Sequence, residues 1–186
     1  MSTRTVSAVD DSELHIRRAT AADALSIATV HVRSWKAAYP GLIPQSYLDA
    51  LTPQDRLATW EEVLGGAPSA LSGTLVAVDA TDSIVGFASF GPNSDDDMTD
   101  AGVGEVRALY LDPSAWGRGA GAKLLRAATD ELARGSCHTA TLWVLDTNDR
   151  ARGFYERTGW RPDGVTKLHD WKAFVATDAR YRLDLL

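Results

Sequence analysis

A glycine-rich turn within residues 109–123, LYLDPSAWGRGAGAK, carries the clearest chemical signal in the sequence. An apolar, strand-like run ends there, and a run of helix-forming residues begins after three glycines, Gly117, Gly119 and Gly121. The free N–H groups and the positive dipole end of such a helix point at one spot, which suits a phosphate group. Glycine has no Cβ and lets an anion approach the backbone closely. Because Arg118 and Lys123 add positive charge, the turn predicts a phosphate-binding cradle.

Two familiar phosphate-binding loops fit this turn poorly. A nucleotide P-loop needs glycine before its lysine and Ser or Thr after it, whereas Ala122 and Leu124 flank Lys123. The hydroxyl that would bind Mg²⁺ is missing, so we reject an NTPase. A dinucleotide fingerprint places G-x-G-x-x-G directly after a strand, but here the glycines are spaced by two and stand apart from the strand end. On the glycines alone, an ordinary helix start with close-packed small residues remains an alternative.

The elements that must position this turn follow the order β-α-α-β-β-β-α-β-α-β-β. Alternating apolar residues predict strands near residues 14–18, 75–78, 84–88, 103–111, 139–145, from 160 onwards and near 181–185. Helical periodicity and capping signals predict helices near residues 20–39, 52–64, 119–134 and 148–158. This order predicts a single sheet covered by helices. Residues 1–12 are polar and aperiodic, so we expect a flexible N-terminal arm followed by one domain over residues 13–186.

The composition excludes several functional classes. The 186 residues are 45% hydrophobic and 24% charged, which fits one packed domain, and a net charge of −6 argues against nonspecific nucleic-acid binding. A single cysteine, Cys137, excludes an intrachain disulfide framework, and no metal site is predicted because the histidines lack ligand spacing. The chain has no apolar run of about 18 residues and no apolar signal segment, so we expect no membrane span and a cytoplasmic location.

Two blocks of the sequence resemble the motifs of the GCN5-related N-acetyltransferase (GNAT) family. The turn matches that family's coenzyme A pyrophosphate motif, Gln/Arg-x-x-Gly-x-Gly/Ala, at Gly119 and Gly121, with Trp116 at the Gln/Arg position. The second block, residues 148–160, resembles the family pattern Asn-x-x-Ala-x-x-Phe-Tyr-Glu-x-x-Gly-Phe. It matches at Asn148, Ala151, Phe154, Tyr155, Glu156 and Gly159. The order of elements agrees with the family from about residue 14 to the end.

The resemblance implies a fold, a co-substrate and a reaction. The fold is α/β (mixed α+β), a single GNAT-like domain with a central mixed, mostly antiparallel sheet flanked by helices. The reaction is transfer of an acetyl group from acetyl-CoA to a primary amine by direct attack in a ternary complex, and a homodimer is a further expectation. The residues implied to bind the pantetheine arm and the diphosphate are Leu109, Tyr110, Leu111, Gly117, Arg118, Gly119, Ala120, Gly121, Ala122, Lys123, Asn148 and Phe154.

Two side chains are candidates for the proton transfers that acyl transfer to an amine requires. Strand alternation predicts Glu105 on the same face as Leu109 and Leu111, and by resemblance it stands where several GNAT members have a glutamate base. Tyr155 matches the family tyrosine that donates a proton or a hydrogen bond to the departing thiolate. The alternatives are structural: a surface glutamate paired with Arg107, and an aromatic anchor for the short helix.

Three aromatic residues are candidates for binding the acceptor. Trp35 and Tyr39 end the first helix, in the segment that covers the acceptor site in GNAT proteins, and Trp143 lies near the end of the strand at 139–145. The alternatives are core packing for Trp35, a surface position for Tyr39 and a structural role for Trp143. An excess of acidic residues in the first hundred positions favours a cationic acceptor.

Other groups offer weaker chemistry. Cys137 and His138 are adjacent in a strand-like run and would point to opposite faces, which argues against a nucleophile–base pair. The acidic run at residues 95–97 is predicted to be a solvated loop. Two alternatives to a transferase stay open, a non-catalytic acyl-CoA-binding module and a nucleotide-binding protein. The acceptor itself stays unidentified among small amines, amine-bearing antibiotics, amino acids, peptide N-termini and lysine side chains.

Overall fold

The strands and helices are close to the predicted order in a computed structural model that describes residues 14–67, 69–171 and 173–185. The strands are β1 (His15–Arg18), β2 (Gly73–Val78), β3 (Ile84–Pro92), β4 (Val103–Leu111), β5 (Thr139–Leu145), β6 (Arg161–Asp170) and β7 (Val175–Asp184). The helices are α1 (Ala24–Ala38), α2 (Gln45–Ala50), α3 (Gln54–Gly65), α4 (Ala120–Arg134) and α5 (Asp149–Arg157). The predicted flexible arm, residues 1–12, lies outside the described residues.

Every predicted element is present, and α2 is an addition to the predicted order. Helix α2 has six residues, of which Leu48 is the buried one, so it is too short to show an apolar period in the sequence. The capping signals predicted before the first helix and after the last one are confirmed. The amide and hydroxyl of Thr20 donate to Asp23 Oδ2 at 2.7 and 3.0 Å before α1, and Gly159 ends α5 with a left-handed φ of 94°.

The strands form one sheet in the order β1-β2-β3-β4-β5-β7-β6, with helices on both faces. All neighbouring strands are antiparallel except the parallel pair β4–β5, so the predicted mixed, mostly antiparallel sheet is confirmed. Alternation along β2 sends Leu75 and Ala77 to the core beneath α4, and Val76 and Val78 to the core beneath α1 and α3. Both faces of the central strands are therefore buried, which fixes their register.

The sheet opens between β4 and β5. Their ladder runs from Val103 to Glu105 on β4, opposite residues 139–141 of β5, and the described strands then separate. A bulge inserts an extra residue at Arg107, because Ser89 pairs with Ala108 whereas Phe90 pairs with Val106. The prediction that Glu105 shares a face with Leu109 and Leu111 is therefore wrong. The bulge reverses the alternation, and Val106 and Leu109 both pack in the core beneath α4.

Candidate active site

A cavity of about 620 Å³ occupies the opening between β4 and β5. Its side walls include Leu109 and Leu111 from β4, and Val144 and Leu145 from β5. One end lies at the N-terminal turns of α4 and α5, on one face of the sheet. The other end lies beneath the last turn of α1 and the connection between β6 and β7, on the opposite face. The cavity therefore crosses the sheet, and two ligands can enter it from opposite sides.

The first turn of α4 presents backbone groups to one end of the cavity. Gly117 and Gly119 have left-handed φ angles of 74° and 77°, and Gly119 is the N-cap of α4. The Lys123 amide donates to the Gly119 carbonyl at 3.0 Å, so the amides of residues 120–122 precede the first bond of the helix. A Cβ on Gly121 would stand 3.3 Å from Leu111 Cδ1, inside the cavity wall. Exposed amides beside a surface without side chains fit a diphosphate.

Most residues predicted to bind the co-substrate line this cavity, namely Leu109, Tyr110, Leu111, Gly117, Gly119, Gly121, Ala122, Asn148 and Phe154. Asn148 also caps α5, because its Oδ1 accepts a hydrogen bond from the Ala151 amide at 3.1 Å. Three predicted residues lie outside the lining. The side chain of Ala120 is buried at 1% exposure, and Arg118 and Lys123 are exposed on the surface of the turn.

Glu105 lies where β4 and β5 part, opposite Thr141. Its side chain lines the cavity although the residue is only 9% exposed. The Ser94 hydroxyl donates to Glu105 Oε2 at 3.3 Å, and Arg107 Nε lies 3.9 Å from the same oxygen. Burial raises the pKa of Glu105, and Arg107 opposes this rise. A carboxylate with a raised pKa accepts a proton more readily, which suits a general base.

Tyr155 lies on α5 and lines the same cavity. The residue is 9% exposed, and its ring lies 5.3 Å from that of Phe154 between centroids. Burial, with a smaller contribution from Tyr110, raises the pKa of Tyr155 well above its ordinary value. The phenol therefore stays protonated at neutral pH and can donate a hydrogen bond or a proton into the cavity.

Aromatic rings line the end of the cavity beneath α1. The predicted residues Trp35 and Tyr39 are there, with ring centroids 5.0 Å apart, and Tyr110 faces them from β4. Trp171 and Phe174, from the connection between β6 and β7, continue this wall, and Trp171 lies 5.1 Å from Trp35 between centroids. The sequence analysis singled out neither Trp171 nor Phe174. Trp35 is only 3% exposed, so it packs in the core and lines the cavity at once.

Trp143, the third predicted acceptor residue, lines the cavity on β5, two residues beyond Thr141, which pairs with Glu105. Its indole N–H donates to both carboxylate oxygens of Asp95, at 3.2 and 3.1 Å. Lys167 Nζ stacks over the ring at 3.8 Å from its centroid and lies 3.8 Å from Asp95 Oδ1. Trp143 is therefore part of a polar network as well as part of the lining.

Asp178 is a second carboxylate of the cavity, and sequence reasoning missed it. It lies on β7 opposite Leu145, is 8% exposed and lines the cavity. His169 Nδ1 lies 3.2 Å from Asp178 Oδ2, and the His169 ring stacks on Trp171 at 4.1 Å. Burial raises the pKa of Asp178, and His169 opposes this rise.

Comparison with known proteins assigns this arrangement to a family. Residues 33–160 match the model of the acetyltransferase (GNAT) family. The chain belongs to the GNAT family. The N-acetyltransferase YuaI of Bacillus subtilis, itself uncharacterised, is 34% identical over 134 residues, which are 72% of each chain. This GNAT protein is therefore an acyltransferase by family.

Solved structures show the same fold. PaiA N-acetyltransferase from Thermoplasma acidophilum, in complex with coenzyme A, superimposes with a TM-score of 0.71 at 18% identity, covering 92% of this chain and 98% of that one. YncA from Salmonella typhimurium, with its cofactor acetyl-CoA, gives a TM-score of 0.65 at 21% identity over 93% and 94% of the two chains. The predicted fold class and family are confirmed.

In this GNAT protein, Trp116 stands at the motif position where the family has Gln or Arg, and the side chain of Arg150 stacks on its ring. The Trp116 indole N–H donates to the Leu111 carbonyl at 3.1 Å, which fixes the ring beside the turn. The Arg150 guanidinium lies over that ring at 3.7 Å from its centroid. Both side chains line the cavity. A cation therefore stands beside the glycine turn although the motif position itself carries none, and the sequence analysis missed Arg150.

The acidic loop of the GNAT protein is not simply solvated, so that prediction is wrong for Asp95. Arg180, on β7 and 2% exposed, donates to Asp95 at 3.2 Å and to two oxygens of Asp97 at 2.7 Å. A buried guanidinium needs such counter-charges. Cys137 is buried away from the cavity lining. Within the described ranges, no cluster of His, Cys, Asp and Glu could hold a metal ion, and no helix has the length and apolarity to cross a membrane.

Proposed function

We propose that this GNAT protein transfers the acetyl group of acetyl-CoA to a primary amine, by direct attack in a ternary complex. The observation that carries the proposal is the single cavity that runs from the glycine turn through the sheet to the aromatic wall. Co-substrate and acceptor can occupy its two ends together, so no covalent enzyme intermediate is required. We take residues 13–186 as the catalytic domain, since the sheet extends from β1 to β7.

The proposed co-substrate site uses backbone more than side chains. Acetyl-CoA supplies the acetyl group as a thioester. The α4 amides and glycines at residues 117–122 would hold its diphosphate, and Arg150 on Trp116 would add a positive charge there. The edge of β4 beyond Glu105 is not paired with β5 in the described sheet. Leu109, Tyr110 and Leu111 can therefore hydrogen-bond to an extended pantetheine arm as a strand would.

Two side chains are proposed to move protons. Glu105 would take the proton of the acceptor ammonium, directly or through water, before the amine nitrogen bonds to the acetyl carbon. As the carbon–sulfur bond breaks, Tyr155 would donate its proton to the leaving thiolate, and the second proton lost by the nitrogen would restore the phenol. The burial of both groups supports these roles, because it favours a proton-accepting carboxylate and a protonated phenol.

The test is thiol release from acetyl-CoA with a panel of amines. General acid–base groups contribute about 10²–10⁴-fold, so Glu105→Gln should lower kcat/KM by about that factor and remove the acid limb of the pH profile. Tyr155→Phe should lower kcat by about 10²-fold, at the lower limit of that range. Glu62→Gln, on the exposed face of α3 and outside the cavity lining, is the matched control for Glu105→Gln.

Two outcomes would contradict the proposal. If Glu105→Gln and Tyr155→Phe both keep the full rate on a confirmed acceptor, the assigned roles are wrong. If the protein binds acetyl-CoA in calorimetry but releases thiol with no amine, the non-catalytic acyl-CoA-binding module replaces the enzyme.

A further inference from the structure

Aromatic side chains line the end of the cavity beneath α1. Five rings line it, from Trp35, Tyr39, Tyr110, Trp171 and Phe174. They contact one another as well as the cavity. Trp35 packs edge-on to Trp171 at 5.1 Å, and Trp171 stacks on Phe174 at 6.1 Å between centroids. Such a wall favours a ligand with an apolar body.

Asp178 is the carboxylate of this aromatic end. Asp178 lies beside these rings, because His169, whose Nδ1 is 3.2 Å from Asp178 Oδ2, stacks on Trp171 at 4.1 Å between centroids. It is 8% exposed, and its hydrogen-bond partner is His169, which is charged only when protonated. A bound ammonium group would bring a permanent positive charge to this buried carboxylate and form a charge-assisted hydrogen bond with it.

Most other charged groups of the lining have partners outside the aromatic end, but Lys167 is also the register partner of Asp178 in the β6–β7 ladder. Glu105 lies 3.9 Å from Arg107, whose Nη2 donates to the Pro92 carbonyl at 2.8 Å. Lys167 stacks on Trp143 beside Asp95. Arg150 stacks on Trp116 at the opposite end, next to the glycine turn. At the aromatic end, Asp178 is therefore the carboxylate of the lining. Arg56 lies over the Trp35 ring at 5.1 Å from its centroid, outside the lining, and donates to the Tyr47 hydroxyl at 3.0 Å.

We propose that Asp178, held by His169, binds the ammonium group of the incoming acceptor before Glu105 takes its proton, and that the acceptor is an amine with a compact apolar body and no anionic group. The proposal rests on the proposed function, because it names the acceptor class of the same site. A free amino acid would bring a carboxylate next to Asp178, and a polyamine would leave the aromatic wall without an apolar partner. Both are therefore poor acceptors.

Three related amines test the proposed acceptor class. 2-Phenylethylamine and phenylalanine share one skeleton and differ by a carboxylate, and 1,4-diaminobutane replaces the ring by a second cation. With saturating acetyl-CoA, kcat/KM for 2-phenylethylamine should exceed the values for the other two by at least about 10-fold. Equal or better use of phenylalanine or 1,4-diaminobutane would overturn the proposal.

Two matched variants on β7 test whether Asp178 binds the ammonium group. Asp178→Asn keeps the shape and removes the charge, so kcat/KM for 2-phenylethylamine should fall by about 10–100-fold, mainly through KM. Affinity for coenzyme A should stay within about twofold, because Asp178 lies at the other end of the cavity. Asp184→Asn, on the same strand but outside the lining, is the control and should change neither value. An unchanged kcat/KM in Asp178→Asn would overturn the proposal.

Calorimetry separates this inference from the proposed function. 2-Phenylethylamine is titrated into protein saturated with coenzyme A, without any turnover. Binding to the wild type that weakens in Asp178→Asn supports the ammonium site, even if no thiol is released and the proposed transfer fails. Thiol release with another class of amine, without binding of 2-phenylethylamine, keeps the transferase and overturns the acceptor class.

Discussion

The two ends of the cavity are built in different ways. The end at α4 is made largely of backbone from one continuous stretch, the strand, turn and helix start at residues 109–122, completed by α5. The aromatic end is made of side chains from α1, β4 and the β6–β7 hairpin, which are far apart in the sequence. A backbone cradle depends on local conformation, whereas a side-chain wall depends on the packing of the whole fold. The two ends should therefore respond differently to mutation and to pH.

The largest effect is expected at the cradle. Gly119 has a φ of 77° and begins α4, and a β-branched residue is strongly disfavoured in that conformation. Gly119→Val should displace the first amides of α4. Charge-assisted hydrogen bonds are worth about 1.5–3 kcal/mol each, so losing the alignment of two should weaken coenzyme A binding by about 100-fold. Isothermal calorimetry measures this loss.

Gly164→Val separates backbone strain from ligand binding. Gly164 lies on β6 outside the cavity lining, with a φ of 87° and no atom within 4 Å of an added Cβ. Both variants should lose about 1–2 kcal/mol of unfolding free energy from the left-handed conformation. If Gly164→Val weakens coenzyme A binding as much as Gly119→Val does, the cradle is not the binding site.

Local construction explains why the cradle end could be predicted from the sequence. The strand end, the glycine spacing and the helix start are adjacent in the chain, and so are Asn148 and Phe154 within the second block. Even here, one contact required the fold. Arg150 belongs to the second block and Trp116 to the first, so their stacking depends on how α5 packs beside the turn. Nothing in either block alone indicates that pairing.

The aromatic end could be predicted only in part. Trp35 and Tyr39 were found because they end a periodic helix, whereas Asp178 and His169 meet through the register of β6 and β7. Side-chain alternation also failed at Arg107, because a bulge in β4 leaves no clear signal in the sequence. Strand pairing and bulges are set by contacts between distant segments, so local patterns do not determine them.

The next largest effect is expected where the two motif blocks meet. Arg150→Ala should weaken coenzyme A binding by about tenfold at low salt, because a charge-assisted contact to a phosphate is lost at a solvent-exposed position. The loss should shrink as ionic strength rises, and Arg150→Lys should recover part of the affinity. Arg126→Ala, an exposed arginine on α4 outside the lining, is the control. Equal affinities of the Arg150→Ala and Arg126→Ala variants would show that the stacked cation does not contact the ligand.

The smallest expected effect is a fall in the free energy of unfolding in acid, caused by His31, which packs beneath the aromatic end of the cavity. His31 lies on α1 and stacks on Tyr110 at 4.7 Å between centroids, with Trp35, Trp60 and Phe87 around it. Its Nδ1 accepts a hydrogen bond from the Trp60 indole at 3.2 Å, which leaves the ring proton on Nε2. Burial, helped by the positive charge of Arg56, lowers the pKa of His31 to about 3.

The sign of the effect follows from proton binding. Unfolded chains protonate histidine near pH 6.5, whereas folded His31 stays neutral down to about pH 3. Between these values the unfolded state binds more protons, so the free energy of unfolding falls as pH falls. From pH 7 to pH 5.5 the loss should be about 1 kcal/mol from His31 alone, measured by urea denaturation at both values.

His31→Phe should lack this part of the loss, whereas His15→Phe on β1 should keep it. If His31→Phe loses as much stability in acid as the wild type, His31 is not held neutral beneath Tyr110.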